Sequence, residues 1–316
     1  MVIGRNIQSE LAEMRRFGWV LTGVGGAVLG LGLLGGWWAS TRALRPIHDI
    51  SGTASKISTG DLSQRIPVAD TENELGQLAQ VLNTTFAKLE SAFRQQARFT
   101  SDAAHELRTP VSVMLTQTQA VLTRDRSPEE YRETLEACQR AAQRMRRLTE
   151  SLLELARLDA GQEAIKHEHF DLSQTAAECI EMVEPLAVKK GVTLQPSLPV
   201  TRSLGDAERT AQVITNLLTN AIHYNKKGGT VCVRTAADDG FSRVAVADSG
   251  QGIAAEDLPH IFERFWRADK SRTGSEGRTG LGLSIAKTIM EAQGGRLEVE
   301  SKLGEGSTFT AILPGG

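Results

Sequence analysis

The chain has 316 residues and a formal net charge of −2, enough length for roughly two to three domains and no positive excess that would suit nucleic acid. Its three cysteines, Cys138, Cys179 and Cys232, are odd in number and form no CxxC pair. A disulfide framework and a cysteine zinc site are thereby excluded, and a reduced, cytosolic setting fits the bulk of the chain.

Residues 17–41 contain no charge and are long enough to cross a hydrocarbon core. Trp19 near one end and Trp37 and Trp38 near the other stand where indoles favour a membrane interface. The apolar run is too long for a secretory signal. Gly26 and Gly30, and Gly32 and Gly36, have the spacing that lets helices approach closely, although a glycine-rich span also gives such spacings by chance. Arginines flank both ends (Arg15 and Arg16, Arg42 and Arg45), so charge leaves the orientation open.

Beyond the span, Leu44, Ile47, Ile50, Ala54 and Ile57 recur in steps of three and four, which predicts an amphipathic helix with Pro46 in its first turn. Residues 58–70 hold Gly60 and Pro67 and read as a connector. A second helix is expected from near Glu72, carrying Leu75, Leu78, Leu82, Phe86, Leu89 and Phe93. One extra four-residue step there would locally unwind a coiled coil, while a plain packed hairpin accounts for the spacing as simply.

That helix is expected to continue to about Thr123 and to carry Phe99, Asp102, His105, Glu106, Leu107, Arg108, Thr109 and Pro110. His105 and Thr109 share one face, and Pro110 should kink the helix just past the histidine. A histidine can act as nucleophile, an adjacent carboxylate can take its proton, and a hydroxyl can hold a water. Ser127, Pro128 and Glu130 have the form of a capping box, opening a return helix with Leu135, Cys138, Ala142, Met145, Leu148, Leu152 and Leu155 on one stripe. Two such helices bury one face each, so pairing with a second copy into a four-helix bundle is expected. Residues 161–167 read as a linker.

From Phe170 the pattern turns α/β. Val231, Val233, Val244, Val246, Leu297, Val299, Phe309 and Ile312 fall in short β-rich runs, with helices over 207–224 and 284–292 on one face of the sheet. Asn216 and Asn220 lie one turn apart, and their amide oxygens suit Mg²⁺. Asp248 opens a glycine turn where a carboxylate can accept a hydrogen bond from an exocyclic amine. Gly250 and Gly252 are expected to let the backbone approach a flat base. The run from Gly274 to Gly282 leads into a helix start at Leu283, whose N–H groups suit phosphate. Singly these are surface polarity or turns; in this order, behind the histidine helix, they read as transfer of a phosphoryl group from ATP to His105.

At these residues the chain resembles the membrane-bound sensor histidine kinases of bacterial two-component systems, through the box around His105 and the run Thr279, Gly280, Leu281, Gly282, Leu283, Ser284 and Ile285. A weaker resemblance to a HAMP linker rests on Pro46 and on Glu74, Leu75 and Gly76. The resemblance implies a multidomain α and α+β chain: a stub outside the membrane (1–16), a transmembrane helix (17–41), a HAMP-like linker (42–92), a dimerisation and phosphotransfer hairpin (93–161) and an α/β-sandwich ATP-binding domain (168–316). It implies His105 as phosphoacceptor, Glu106 as the assisting base, and Thr109 as the group orienting water when a regulator is dephosphorylated. Asn220, supported by Asn216, would be the Mg²⁺ ligand and Asp248 the adenine reader. Further nucleotide contacts would come from His223 and Tyr224, from Gly250, Gly252 and Ile253, and from Gly277, Gly280, Leu281, Gly282 and Leu283. Phe262, Arg264 and Arg267 match the aromatic segment at the edge of a mobile lid, with the arginines meeting phosphate or the histidine helix.

The implied cofactors are ATP and Mg²⁺. The implied partners are the receiver domain of a response regulator, a second copy of the chain and the lipid bilayer, with no nucleic acid. An ATP site must face the cytoplasm, which sets the orientation in a bacterial inner membrane. Two departures stand out. His223 occupies a place where such kinases carry lysine or arginine, and a neutral imidazole is a weaker phosphate contact. A first membrane helix and a sensor domain outside the membrane are missing, so the sequence is either a fragment or takes its input through the membrane helix or a partner. A phosphatase-dominant regulator and a non-catalytic signalling scaffold are the alternatives; intact Asn216, Asn220, Asp248, Gly280 and Gly282 weigh against the scaffold.

Overall fold

A computed structural model describes residues 8–58, 60–67, 74–161, 165–267 and 279–316. The chain divides into two units, Met1–Arg98 and Phe99–Gly316.

In the first unit, helix α1 (Gln8–Ser58) contains one stretch, Met14–Arg42, long and apolar enough to cross a membrane by length and composition. Its 29 residues would extend about 43 Å at helical rise, against roughly 30 Å of hydrocarbon. The expected amphipathic helix with Pro46 in its first turn is not separate from the apolar stretch: α1 runs on through that position to Ser58. One lost backbone bond does not end a helix that is helical on both sides of it. Gly60, at φ 107°, turns the chain out of α1. The connector is then fastened to helix α2 (Glu74–Leu122), where the Asn83 side chain donates to the Ile66 carbonyl and accepts from its N–H, both at 2.9 Å. Ile66 is buried there and Arg65 pairs with Glu90. The expected helix start at Glu72 falls outside the described residues.

The second unit takes up α2 from Phe99. Pro110 does not interrupt the helix. Helix α3 (Pro128–Asp159) opens with the capping box anticipated from sequence: the Glu130 N–H donates to Ser127 Oγ at 3.2 Å, and the Ser127 N–H to Glu130 Oε2 at 2.9 Å. Thr134, Ala141, Leu148 and Leu155 recur every seven residues and form the buried line of α3. Leu148 and Leu155 belong to the same core cluster as the C-terminal sheet and helices.

That α/β part runs β1 (Glu168–Asp171), α4 (Leu172–Lys190), β2 (Thr193–Ser197), β3 (Arg202–Gly205), α5 (Ala207–His223), β4 (Thr230–Asp238), β5 (Phe241–Asp248), α6 (Gly282–Ala292), β6 (Arg296–Lys302) and β7 (Gly306–Pro314). The main sheet has order β2-β4-β5-β7-β6, with β2 parallel to β4 and the other pairs antiparallel, while β1 and β3 form a separate ribbon. Alternate residues Val231 and Val233, Val244 and Val246, and Ala311 and Leu313 turn one face of the sheet into the core shared with α4, α5 and α6. Helix α4 and strands β1 to β3 were not anticipated. Polar residues interrupt the short strands, and α4 contains Pro185.

Leu155 is fully buried between α3 and the α/β part. Leu155→Ala should therefore destabilise the Phe99–Gly316 unit by about 2–5 kcal/mol, read as a lower melting temperature. An unchanged melting curve would show that this seam does not hold the unit together.

Candidate nucleotide and phosphoacceptor site

Helix α2 leaves His105 and Thr109 exposed on one side, and Thr109 Oγ1 donates back to the His105 carbonyl at 3.3 Å. Glu106, the next residue, is half-buried and accepts a 2.8 Å bond from Arg144 Nη2 on α3. Histidine and neighbouring acid thus sit in different surroundings.

Helix α5 builds the second group. Asp206 caps it, accepting from the N–H groups of Glu208 and Arg209 at 3.1 Å, and its own N–H donates at 2.7 Å to Oε1 of the fully buried Gln293. Val213, Ile214, Leu217, Leu218, Ala221 and Ile222 bury one face of α5, which leaves Asn216 and Asn220 half-buried along its edge. Asn216 Nδ2 donates to the Gly282 carbonyl at 3.4 Å, so α5 meets the first turn of α6. Among the described residues no side chain caps α6, and its first N–H groups are of the kind that donate to an anion. At the other end of α5, past His223, the Tyr224 carbonyl accepts from the Gln251 N–H at 3.3 Å, which joins α5 to the turn after β5.

Asp248 ends β5, opposite Ser307 of β7 and Val231 of β4. Its Oδ1 accepts from the Gly250 N–H at 2.8 Å. Burial pushes the carboxyl above its ordinary range, and bonds from the Gly250 and Ser307 N–H groups offset only part of that rise. The glycines here also allow close approach of protein backbone. A Cβ on Gly250 would stand 2.4 Å from the Tyr224 carbonyl oxygen, and one on Gly252, at φ 67°, 2.1 Å from that of Lys302. The Ile253 N–H donates to Ser301 Oγ at 2.8 Å, which ties the turn to β6.

Gly280, at φ 72°, backs onto Phe265, whose N–H donates to the Gly280 carbonyl at 3.0 Å. Phe265 itself has φ 63°, a strained conformation for a bulky residue. Arg264 turns toward the hairpin: its Nη2 donates to both carboxylate oxygens of Asp159 at 2.8 Å, and its guanidinium lies 5.0 Å from the centroid of the Phe99 ring. Phe262 lies under Lys287 of α6. Leu281 is buried and Leu283 half-buried, and Gly277 lies outside the described residues.

The structure thus joins Asn216 to Gly282, Tyr224 to Gly250, and Asp248 to Gly250. Among the described residues, no hydrogen bond or ion pair links His105 to this cluster. Sequence reasoning missed Gly306, whose absent Cβ would fall 1.9 Å from the Asp248 carbonyl oxygen, and Asn225, whose amide donates to Thr230 and accepts from Ser249. The signal for Gly306 was the pair Gly304 and Gly306 just ahead of a β-rich run.

Residues 205–316 match the family described as Histidine kinase-, DNA gyrase B-, and HSP90-like ATPase, 95–161 the His Kinase A (phospho-acceptor) domain, and 38–91 the HAMP domain. Sensor protein CutS of Streptomyces coelicolor is 32% identical over 91% of this chain and 70% of its own length. The chain belongs to the sensor histidine kinase family. The probable sensor protein PcoS of Escherichia coli is 34% identical over 84% of this chain, which spans only 57% of PcoS. Among solved structures, histidine kinase ThkA in complex with response regulator protein TrrA shares the fold, with a TM-score of 0.57, 22% identity, and 72% of this chain and 66% of that chain covered.

The folded state holds the Asp248 proton more tightly than the unfolded chain does, so the group's contribution to stability falls as pH rises from the ordinary aspartate range toward the raised value. Asp248→Asn keeps an amide oxygen that can accept from the Gly250 N–H and removes the buried charge. The variant without nucleotide should melt no lower than the native chain at neutral pH and lose less stability between about pH 4 and 7. A lower neutral melting temperature would mean that the charge itself stabilises the fold.

Proposed function

We propose that the chain is an ATP-dependent protein histidine kinase that phosphorylates itself on His105 and passes the phosphoryl group to an aspartate on the receiver domain of a response regulator. The observation that carries the reading is the exposed His105 in the same folded unit as Asn216, which bonds to the start of α6, and Asp248, whose turn is bonded to the end of α5. In this reading Asp248 accepts from the adenine amine, and the N–H groups at Gly282 and Leu283 receive phosphate oxygens. Asn220 and Asn216 hold Mg²⁺. Two amide oxygens completed by phosphate and water suit that ion, which seldom has an all-protein cage, and its charge would neutralise the phosphates. Among the described residues no cluster of three acidic, histidine or cysteine side chains offers a competing metal site.

One ring nitrogen of His105 attacks the γ-phosphorus as the bond to the β-phosphate oxygen breaks and ADP leaves. Glu106 takes the proton from the other ring nitrogen. In the reverse duty Thr109, on the same exposed face as His105, orients water against the phosphorylated regulator. His223 and Tyr224 flank the nucleotide at the end of α5, Ile253 lies beside the adenine turn, and Arg264 and Arg267 lie at the lid edge with Phe262 and Gly277. The domain spans 17–41, 42–92, 93–161 and 168–316, homodimer formation through the hairpin, and an inner-membrane location with residues after 41 in the cytoplasm complete the proposal. The HAMP match and the apolar Met14–Arg42 stretch support the membrane location. The TrrA complex of ThkA supports a regulator as partner.

Incubation of the chain with Mg²⁺ and ATP labelled at the γ-phosphate should give acid-labile, base-stable label, absent from His105→Gln while nucleotide still binds. Label retained in that variant would move the acceptor elsewhere. Thr109→Ala should leave self-labelling within about twofold of native and slow loss of phosphate from the regulator by about tenfold or more. Equal loss of both activities would remove the water-orienting role.

A further inference from the structure

We propose that Arg144 is a positioning residue for the phosphoryl transfer, holding the Glu106 carboxylate where it can take the His105 proton. The inference rests on the reading of His105 as acceptor and Glu106 as base. Consecutive helix residues point about 100° apart, so being next in sequence does not aim Glu106 at its neighbour. A glutamate has three rotatable torsions and needs a second contact to settle in one arrangement. That contact is the 2.8 Å bond from Arg144 Nη2 to Glu106 Oε2, across the hairpin from α3 to α2. The two side chains retain only 24% and 28% of their exposure, so the pair is shielded from the screening that weakens surface pairs.

Neighbouring arginines behave differently. Arg132, Arg140 and Arg146 pair along α3 with Glu136 and Glu150, at more exposed positions. Arg144 instead spends its charge on the carboxylate beside the candidate nucleophile. The bond occupies Oε2, and among the described residues Oε1 accepts no hydrogen bond, so one oxygen stays available for the proton. During transfer the ring nitrogen forms its bond to phosphorus, ADP departs with the electron pair of the broken P–O bond, and the proton of the other ring nitrogen moves to Oε1. Arg144 stabilises the carboxylate before transfer and keeps the carboxylic acid in place after it.

The test compares the native 316-residue chain in lipid vesicles with R144A, R144K, E106Q and R144A/E106Q, measuring label incorporation from γ-labelled ATP, KM for ATP and melting temperature. R144A should be slower by about tenfold at saturating ATP, because a small misplacement of a catalytic group costs that much or more. KM and melting temperature should stay at native values, R144K should recover part of the rate, and R144A/E106Q should be no slower than E106Q. A native rate in R144A, or a double variant slowed by the product of the two single effects, would overturn the positioning role. If R144A melts early, R144K carries the same comparison against E106Q: a reduced rate that vanishes as a separate effect in the E106Q background supports the role, and an additive one overturns it. A slow E106Q with a fast R144A removes Arg144 alone and leaves the kinase reading standing. E106Q at the native rate, or no label on the native chain, removes the base or the kinase reading and this inference with it.

Discussion

The nucleotide end of the fold depends on backbone segments that touch where a side chain would forbid it. Gly306 lies against the Asp248 carbonyl, Gly250 against that of Tyr224 and Gly252 against that of Lys302, and a Cβ at any of the three would intrude to 2.4 Å or less. Contacts of this kind cannot be relieved by turning a rotamer, because the obstructing atom is main chain. The turn after β5, the end of α5 and the β6–β7 hairpin are therefore held in one arrangement, and Asp248 stands at their meeting point. A carboxylate can remain desolvated there because the surrounding chain cannot relax around it. The N–H groups of Gly250 and Ser307 make the ionised form tolerable without making it comfortable.

The hairpin and the α/β part are joined by two kinds of contact with different strength. Leu148 and Leu155 are wholly buried in the shared core, and each is worth about 1.5–3 kcal/mol in apolar transfer alone. The polar contacts are weaker and directional. Glu154 receives bonds from Arg209 and Gln212, and Arg264 grips Asp159 with both partners partly exposed. A pair of that exposure contributes about 0–1 kcal/mol. The leucines hold the two parts together and the polar pairs select which surfaces meet. Losing Arg264–Asp159 would shift alignment more than association.

Long periodic elements were legible in the sequence because their signal is repeated many times. The apolar stretch within α1, the helix bearing His105, the capping box of α3 and the valine-rich strands β4 and β5 all fall where pattern and cap chemistry put them. Asn216, Asp248 and the start of α6 were found because each carries a recognisable chemical group at a fixed spacing. The rest lacked such repetition. Strands β1, β2 and β3 are four or five residues long, too short to show alternation, and α4 carries a proline that argues against a helix. A separate amphipathic helix was expected after residue 41, with Pro46 in its first turn, yet flanking helix on both sides carries α1 through it. That Gly250 and Gly252 lie against protein backbone was not legible, because which segment they face is decided by residues 26 and 50 positions away in sequence, Tyr224 and Lys302. Arg144, Asp159 and Gln293 were invisible for the same reason: each acts through a partner far along the chain.

The contrast between the two halves of the chemistry follows from what each must meet. The groups of the nucleotide cluster are half-buried and braced by backbone, as suits a ligand of fixed shape held in one pose. His105 is exposed on its helix, and among the described residues no group of the α/β part is hydrogen-bonded to it. On the kinase reading it must be reached first by a nucleotide and then by the receiver domain of another protein, so enclosing it would favour one encounter at the expense of the other. An exposed nucleophile forgoes the help that burial gives through pKa and dielectric, and that help must come from a neighbour instead. Glu106 is the available neighbour, and the hairpin keeps it half-buried against Arg144 while leaving the histidine free. On the kinase reading, the exposed histidine and its tethered acid can be neighbours on a single helix because adjacent residues point in different directions.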